Sequence, residues 1–153
     1  MSVQQFKQYV SDNKLKDIDI VELDQETRTA ESAAKANGVH VSSIVKSLLV
    51  AYGEPLEFCI CLVPGDRRLD LERLTKFLGQ NCRMATPDEV KSLTGYSIGG
   101  VPPLGHVTKV VTYILSGFSR DADVIAAAGS GNSVFRVPYS RLVEITGAIE
   151  LDI

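Results

Sequence analysis

The chain has little of several residue types that usually announce a class of protein. Its 153 residues include no tryptophan, two histidines and three cysteines, and the cysteines show no CxxC spacing. So few and so scattered histidines and thiols argue against a zinc-type site and against a disulfide-rich scaffold. No apolar run reaches the roughly 18 residues of a transmembrane helix, so we expect no membrane partner. The polar N-terminal segment lacks the apolar stretch of a secretory signal, and we therefore expect a cytoplasmic protein.

The chain also lacks a strong excess of either charge. Sixteen lysines and arginines stand against nineteen acidic residues, for a net charge of −3. Nucleic-acid binding would therefore need a local basic patch. Basic residues do cluster in the sequence at Arg67, Arg68, Arg73, Lys76 and Arg83, with Arg28, Lys35 and Lys46 upstream. They either form a solvated surface or, if they converge on a cleft, hold phosphates.

What is present predicts one α+β domain over residues 1–153. The apolar fraction is 44%, enough for one core in a chain of this length. Capping residues and apolar spacing predict helices at 3–10, 30–37, 71–78, 87–94 and 138–146. Apolar and β-branched runs predict strands at 18–23, 44–51, 56–63, 82–85, 107–115, 124–128, 134–137 and 149–153. Hairpins mixed with αβ alternation indicate a mixed sheet with helices around it.

Two of the cysteines fall in one predicted strand. Cys59 and Cys61 are two residues apart and would share a face of that strand. Core thiols are the favoured interpretation, with a metal or redox site as the alternative.

Lys46 is unusual because it lies on an otherwise aliphatic strand face with Ile44, Leu48 and Val50. Such a lysine either extends its stem to reach solvent at the rim or keeps its charge in a cleft beside a ligand.

The segment 95–106 is a loop dense in glycine and proline. Adjacent Gly99 and Gly100 would let the backbone approach a ligand closely, and exposed N–H groups there could stabilise an oxyanion. A purely structural turn is the alternative.

The same loop matches the G-x-S-x-G pattern of serine hydrolases at Gly95, Ser97 and Gly99. That motif needs a strand before it and a helix after it, with an acid and then a histidine downstream. Here a predicted helix precedes the motif, and no carboxylate lies between it and His106. We therefore expect no serine triad.

Together these pieces resemble the YbaK/prolyl-tRNA-synthetase-associated domain family from about residue 20 to the end of the chain. The residues that carry the resemblance are Thr29, Ala33-Ala34, Gly38, 44–48, 63–66, 93–96, 99–106, 127–130 and 142–152. The combination of Lys46 with a later Gly-Gly-Val-Pro-Pro loop is specific, because it would rarely arise by chance.

The resemblance implies an aminoacyl-tRNA deacylase that hydrolyses mischarged tRNA in trans, with alanyl- or cysteinyl-tRNA(Pro) as the expected substrate. It also implies strands curled into a pseudo-barrel, no metal or cofactor, and prolyl-tRNA synthetase as a further partner. By the same resemblance, Lys46 would hold the terminal adenosine and the ester, and Gly99 and Gly100 would position the carbonyl. Further substrate contacts are expected at Thr29, Ser47, Val101, Pro102, His106, Gly129 and Ser130.

Two positions depart from the family pattern. Ser47 stands where many members have threonine, and Thr112 where relatives often carry aspartate. Either change could alter the choice of substrate. The alternative function is a non-catalytic module that binds tRNA, a nucleotide or a synthetase.

Overall fold

The computed structural model describes residues 2–27 and 29–153, so Arg28 of the predicted basic cluster lies outside the described residues. The α-helices are α1 (Ser2–Asp12), α2 (Ala30–Asn37), α3 (Leu71–Leu78), α4 (Pro87–Thr94) and α5 (Tyr139–Thr146). The strands are β1 (Ile20–Glu22), β2 (Val45–Tyr52), β3 (Glu57–Pro64), β4 (Cys82–Met84), β5 (Val111–Leu115), β6 (Asp123–Ala127), β7 (Ser133–Pro138) and β8 (Ile149–Leu151). Among the described residues, no helix combines the length and apolarity that crossing a membrane requires.

The strands form two sheets, and the predicted α+β class is confirmed. One sheet has the order β1-β7-β6 and the other the order β4-β2-β3-β5-β8. The larger sheet is mixed, because β3 pairs antiparallel with β2 and parallel with β5. The two sheets meet at a parallel bridge between Ile44 and Ile125, which starts β2 against the middle of β6.

Local signals define most helix ends. Thr86 caps α4 through a reciprocal capping box with Glu89, and Gly95 ends the helix in the left-handed conformation. Thr29 and Ser32 form the same capping box at the start of α2.

The predicted strand at 107–115 is four residues too long at its start. The N–H groups of Val107 and Thr108 donate to the carbonyls of Thr94 and Leu93, at 3.0 and 2.9 Å. Residues at the end of α4 therefore take the hydrogen bonds that would have extended β5.

The core is divided by the larger sheet, whose central strand β3 is buried on both faces from Cys59 to Pro64. The main cluster lies between the two sheets and includes Phe6, Ile60, Tyr96, Phe135 and Leu142. The second lies under α3 and includes Val50, Cys59, Cys61, Val63 and Leu74. Both strand cysteines are fully buried free thiols, which confirms that they belong to the core.

Helix α1 is held to the main core by Phe6. Its ring is 0% exposed and stacks on Phe135, with the ring centroids 5.5 Å apart. The same helix begins beside Gly129, because a Cβ there would lie 2.5 Å from the carbonyl oxygen of Ser2. Packing of α1 therefore supports the turn between β6 and β7.

Replacing Phe6→Ala is expected to lower the free energy of unfolding by about 3–5 kcal/mol, because it leaves a cavity between α1 and β7. Phe77→Ala on α3 is the matched control, since Phe77 is 50% exposed and should lose much less. Urea denaturation of both variants measures the difference. Equal losses would contradict the assignment of α1 to the core.

Candidate active site

A cavity of about 460 Å³ lies between the two sheets, where β2 faces β6. Consecutive residues of β2, the start of α2, the glycine-rich loop and the turn after β6 all contribute to its wall. The lining residues are Thr27, Thr29, Ala30, Ala33, Ile44, Val45, Lys46, Ser47, Leu48, Leu49, Met84, Ala85, Val90, Ile98, Gly99, Val101, Ile125, Ala126, Ala127, Ser130, Gly131, Ser133 and Val134. Most of these side chains are apolar, with a few polar groups among them, as is usual for small-molecule sites.

The cavity exists because β4 pairs only with the C-terminal half of β2. Strand β4 pairs with residues 50–52 of β2, and its ladder ends where the N–H of Ala85 donates to the carbonyl of Leu49 at 3.0 Å. The next residue, Thr86, caps α4, and Pro87 begins that helix. The chain therefore turns away from β2, and the edge of β2 nearest Lys46 is left facing the cavity.

Lys46 is one of the lining residues, and its ammonium donates a hydrogen bond to the carbonyl oxygen of Arg67 in the turn between β3 and α3. Partial burial lowers the pKa of Lys46, and the nearby cation of Arg68 acts in the same direction. The carboxylates of Glu31 and Asp66 oppose that shift. Its charge is thus held beside the cavity by a main-chain acceptor.

Arg67 fixes the position of that acceptor. Its N–H donates to the carbonyl of Pro64 at 3.0 Å, which closes the turn after β3. Its guanidinium donates to the carbonyl oxygens of Ser116 and Ile153, at 2.6 and 2.7 Å. Arg67 is therefore tied to the ends of β5 and β8, and its side chain does not face the cavity.

The other members of the predicted basic cluster that the structure describes do not converge on the cavity, and none of those lines it. Arg83 forms an ion pair with Glu89 at 2.7 Å, and Arg73 lies 3.7 Å from Asp70. Each pair includes a residue in the first turn of a helix, α4 for Glu89 and α3 for Arg73.

The glycine-rich loop contributes Gly99 and Val101 to the cavity wall, while Gly100 packs behind it. Gly99 has a φ of +94°, and a Cβ there would meet no heavy atom within 4 Å. At Gly100 a Cβ would lie 2.7 Å from the Cα of Ser130, so only glycine fits. The N–H of Gly100 donates to Ser97, and its carbonyl accepts from Gly129, each at 3.0 Å. Gly100 therefore joins the loop to the turn after β6, and Gly99 is the glycine that faces open space.

The ends of this loop are anchored in the main core. Tyr96 is fully buried, and this burial raises its pKa to about 12. Pro102, Pro103 and Leu104 are also buried. The exposed middle of the loop is thus held between two fixed ends.

His106 and Pro102 pair with each other away from the cavity lining. Nε2 of His106 donates to the carbonyl oxygen of Pro102 at 2.7 Å, and burial lowers the pKa of the imidazole despite that bond. Ser97 is exposed, and it lies in the turn after α4 rather than between a strand and a helix. Ser97 therefore does not have the strand before it that the nucleophile motif requires.

Of the remaining residues predicted to contact substrate, some line the cavity and one lies behind its wall. Thr29 lines the cavity, but its hydroxyl is engaged with Ser32 in the capping box of α2. Ser130 also lines it, and its hydroxyl contacts Asn132 and Ser133 at 2.8 and 2.7 Å. Gly129 lies behind the wall against α1, as described above.

Thr112, the second departure from the family pattern, is buried in β5 and is not a lining residue. Ser47, the first departure, lines the cavity next to Lys46.

Sequence reasoning missed the apolar members of the wall. Ile98 and Met84 are 61% and 41% exposed although both line the cavity, and Ala33 and Ile125 close it from α2 and β6. Aliphatic residues of this kind carry no chemical signal. Only the packing of distant segments brings them to one site.

Acidification is expected to destabilise the protein partly through His106. Its folded pKa is below its unfolded value, so stability is full above the unfolded pKa near 6.5 and falls as pH drops through the folded pKa. In His106→Gln, whose amide can still donate to Pro102, the loss of unfolding free energy between pH 7.5 and 5 should be smaller. Urea titrations at both pH values test this, and an unchanged difference would contradict it.

Comparison with known proteins places the chain in a family. Residues 24–145 match the model of the aminoacyl-tRNA editing domain, and the chain belongs to that family. The resemblance found in the sequence is thus confirmed.

The similar proteins agree with this assignment. An uncharacterised Bacillus subtilis protein, YwhH, is 33% identical over 128 residues, which cover 84% of this chain and 81% of that protein. A candidate Cys-tRNA(Pro)/Cys-tRNA(Cys) deacylase of Enterococcus faecalis, EbsC, is 27% identical over 77% of this chain and 72% of its own. The crystal structure of a candidate trans-editing enzyme for prolyl-tRNA synthetase superposes with a TM-score of 0.91 at 38% identity, over 99% of this chain and 95% of that one.

Proposed function

We propose that this protein, acting as a single editing domain, hydrolyses the ester between a wrong amino acid and tRNA in trans. Alanyl- and cysteinyl-tRNA(Pro) are the proposed substrates, and prolyl-tRNA synthetase is a proposed partner. The observation that carries the proposal is a cavity between the two sheets that has Lys46 in its wall, in a chain of the aminoacyl-tRNA editing family. The names of EbsC and of the trans-editing structure support the choice of tRNA and partner.

The cavity suits an aminoacyl ester in size and character. Its volume of about 460 Å³ falls within the range of roughly 300–1,000 Å³ typical of small-molecule sites. Its apolar walls would take a small side chain, while the polar ester remains near Lys46 and the loop. One added methylene changes binding by only about 1–3 kcal/mol, which explains why a synthetase leaves such errors to a second site.

In the proposed reaction, water attacks the acyl carbon and the carbonyl oxygen gains negative charge. The bond from the acyl carbon to the ribose oxygen then breaks, and that oxygen takes a proton, which releases the amino acid and intact tRNA. An activated ester needs little general-base assistance, so positioning and oxyanion stabilisation provide the catalysis. We assign the substrate-holding cation to Lys46. Within the loop we assign the carbonyl-positioning N–H to Gly99, because the N–H of Gly100 already donates to Ser97.

Lys46→Ala is expected to slow single-turnover deacylation by about 100-fold, since it removes the cation from the cavity wall. The melting temperature should change by only a few degrees, because the lysine stem contributes little to packing. The assay uses tRNA(Pro) charged separately with alanine, cysteine, serine or proline. Lys109→Ala, which removes an exposed lysine outside the cavity lining, is the matched control and should keep the wild-type rate.

Wild-type protein should hydrolyse at least one mischarged species and spare prolyl-tRNA(Pro). Rapid hydrolysis by Lys46→Ala would remove Lys46 from the mechanism. A folded wild-type protein that binds tRNA with a steep salt dependence but hydrolyses no species would instead indicate a binding module.

A further inference from the structure

Ser47 combines a free hydroxyl with an unpaired stretch of strand edge inside the cavity. Its hydroxyl oxygen is buried and has no hydrogen-bond partner among the described residues. Such a group usually has a partner, so this one marks Ser47 as a position whose polar groups the described residues do not all satisfy.

The register of β2 shows where its main-chain groups point. Ile44 accepts a hydrogen bond from the N–H of Gly65 at 2.8 Å, so even-numbered residues of β2 direct their N–H and C=O toward β3. Leu49 accepts from Ala85 on the β4 side, so odd-numbered residues point to the opposite edge. The regular pairing of residues 45–52 with 64–57 contains no bulge, and the alternation therefore extends to Ser47.

No strand within the described residues covers that edge at Ser47. Strand β4 reaches back only as far as the bond to Leu49, and the bridge to β6 lies at Ile44. The N–H and C=O of Ser47 therefore face the gap between β4 and β6, which is the cavity. Ser47 thus presents one main-chain donor and one main-chain acceptor to the same space.

An aminoacyl ester offers the complementary groups. Its α-ammonium is a donor and its carbonyl oxygen an acceptor, and they have the same spacing as the N–H and C=O of one residue in a strand. In an antiparallel ladder, two opposed residues exchange both bonds. A short extended ligand can join an exposed strand edge in the same way.

We infer that the aminoacyl group pairs with Ser47 as a one-residue strand, an inference that rests on the proposed function and specifies how the substrate is held. The carbonyl oxygen of Ser47 accepts from the α-ammonium. The N–H of Ser47 donates to the ester carbonyl, and it remains bonded to that oxygen as negative charge develops during attack by water. Ser47 therefore selects an α-amino ester and supplies an oxyanion donor.

The proposed oxyanion contact uses the main-chain N–H of Ser47 and not its side chain. The decisive variant therefore removes that N–H. Ser47→Pro deletes it without breaking the β2–β3 ladder, because this N–H points away from β3, and proline is tolerated at such edge positions. Ser47→Ala is the matched control, since it loses only the hydroxyl. Alanyl-tRNA(Pro) hydrolysis by Ser47→Pro should be about 100-fold slower than by Ser47→Ala. Equal rates in the two variants would overturn the inference.

A second measurement uses the wild-type protein and detects binding, so it does not depend on turnover. The probe is 3′-(L-alanylamino)-3′-deoxyadenosine, an amide that cannot be hydrolysed as an ester, titrated into ¹⁵N-labelled wild-type protein. The amide resonance of Ser47 should shift downfield as its N–H gains an acceptor. A shift at Gly99 with none at Ser47 would assign the carbonyl contact to the loop and overturn the inference.

Substrate chemistry tests the ammonium contact. N-acetylalanyl-tRNA(Pro), which lacks the charged amine, should be hydrolysed at least about tenfold more slowly than alanyl-tRNA(Pro). Equal hydrolysis would overturn the ammonium contact. If the wild-type protein hydrolyses neither ester, the proposed function fails, whereas a Ser47 shift with the adenosine probe would still establish the pairing.

Discussion

The structure of the site depends on the incomplete pairing of one strand, β2. Strands β3 and β4 pair with it and β6 lies beside it, but β4 leaves it at Leu49 and the bridge to β6 lies just before its start, at Ile44. A sheet edge normally exposes its hydrogen-bonding groups to solvent or to another strand. Here the stretch between Leu49 and the Ile44 bridge faces a cavity between two sheets. The early start of α4, set by Thr86 and Pro87, is the physical cause of that opening.

Around this edge, many of the hydrogen bonds join the segments that surround the cavity to one another. The carbonyl oxygen of Arg67 accepts a hydrogen bond from the Lys46 ammonium. The guanidinium of Arg67 donates to the carbonyl oxygens of Ser116 and Ile153, which holds the same turn in place. The N–H of Gly129 donates to the carbonyl of Gly100, and this bond joins the loop to the turn after β6. His106 binds Pro102 and fixes the far end of the loop. These hydrogen bonds hold together the segments around the cavity, as the proposed positioning of an ester would require.

The positions that match the family pattern fall into two groups, those that line the cavity and those that support its wall. Lys46, Ser47, Gly99 and Ser130 reach the cavity wall, whereas Gly100, Pro102, His106 and Gly129 lie behind it. A motif in sequence does not separate residues that contact a ligand from residues that place them. The distinction arises from hydrogen bonds between segments about thirty residues apart, such as that from Gly129 to Gly100.

The sequence by itself determined the helices with strong caps, the two-residue alternation of β2 and β3, the α+β class and the family. These features depend on local steric and capping preferences, or on motifs that are contiguous in the chain. The tertiary structure alone decided that two sheets form, that Ile98, Met84 and Ile125 share one cavity, and that the Ser47 hydroxyl has no partner among the described residues. The free edge at Ser47 results from where β4 and β6 stop relative to β2. That register depends on long-range packing, which no local pattern of residues encodes.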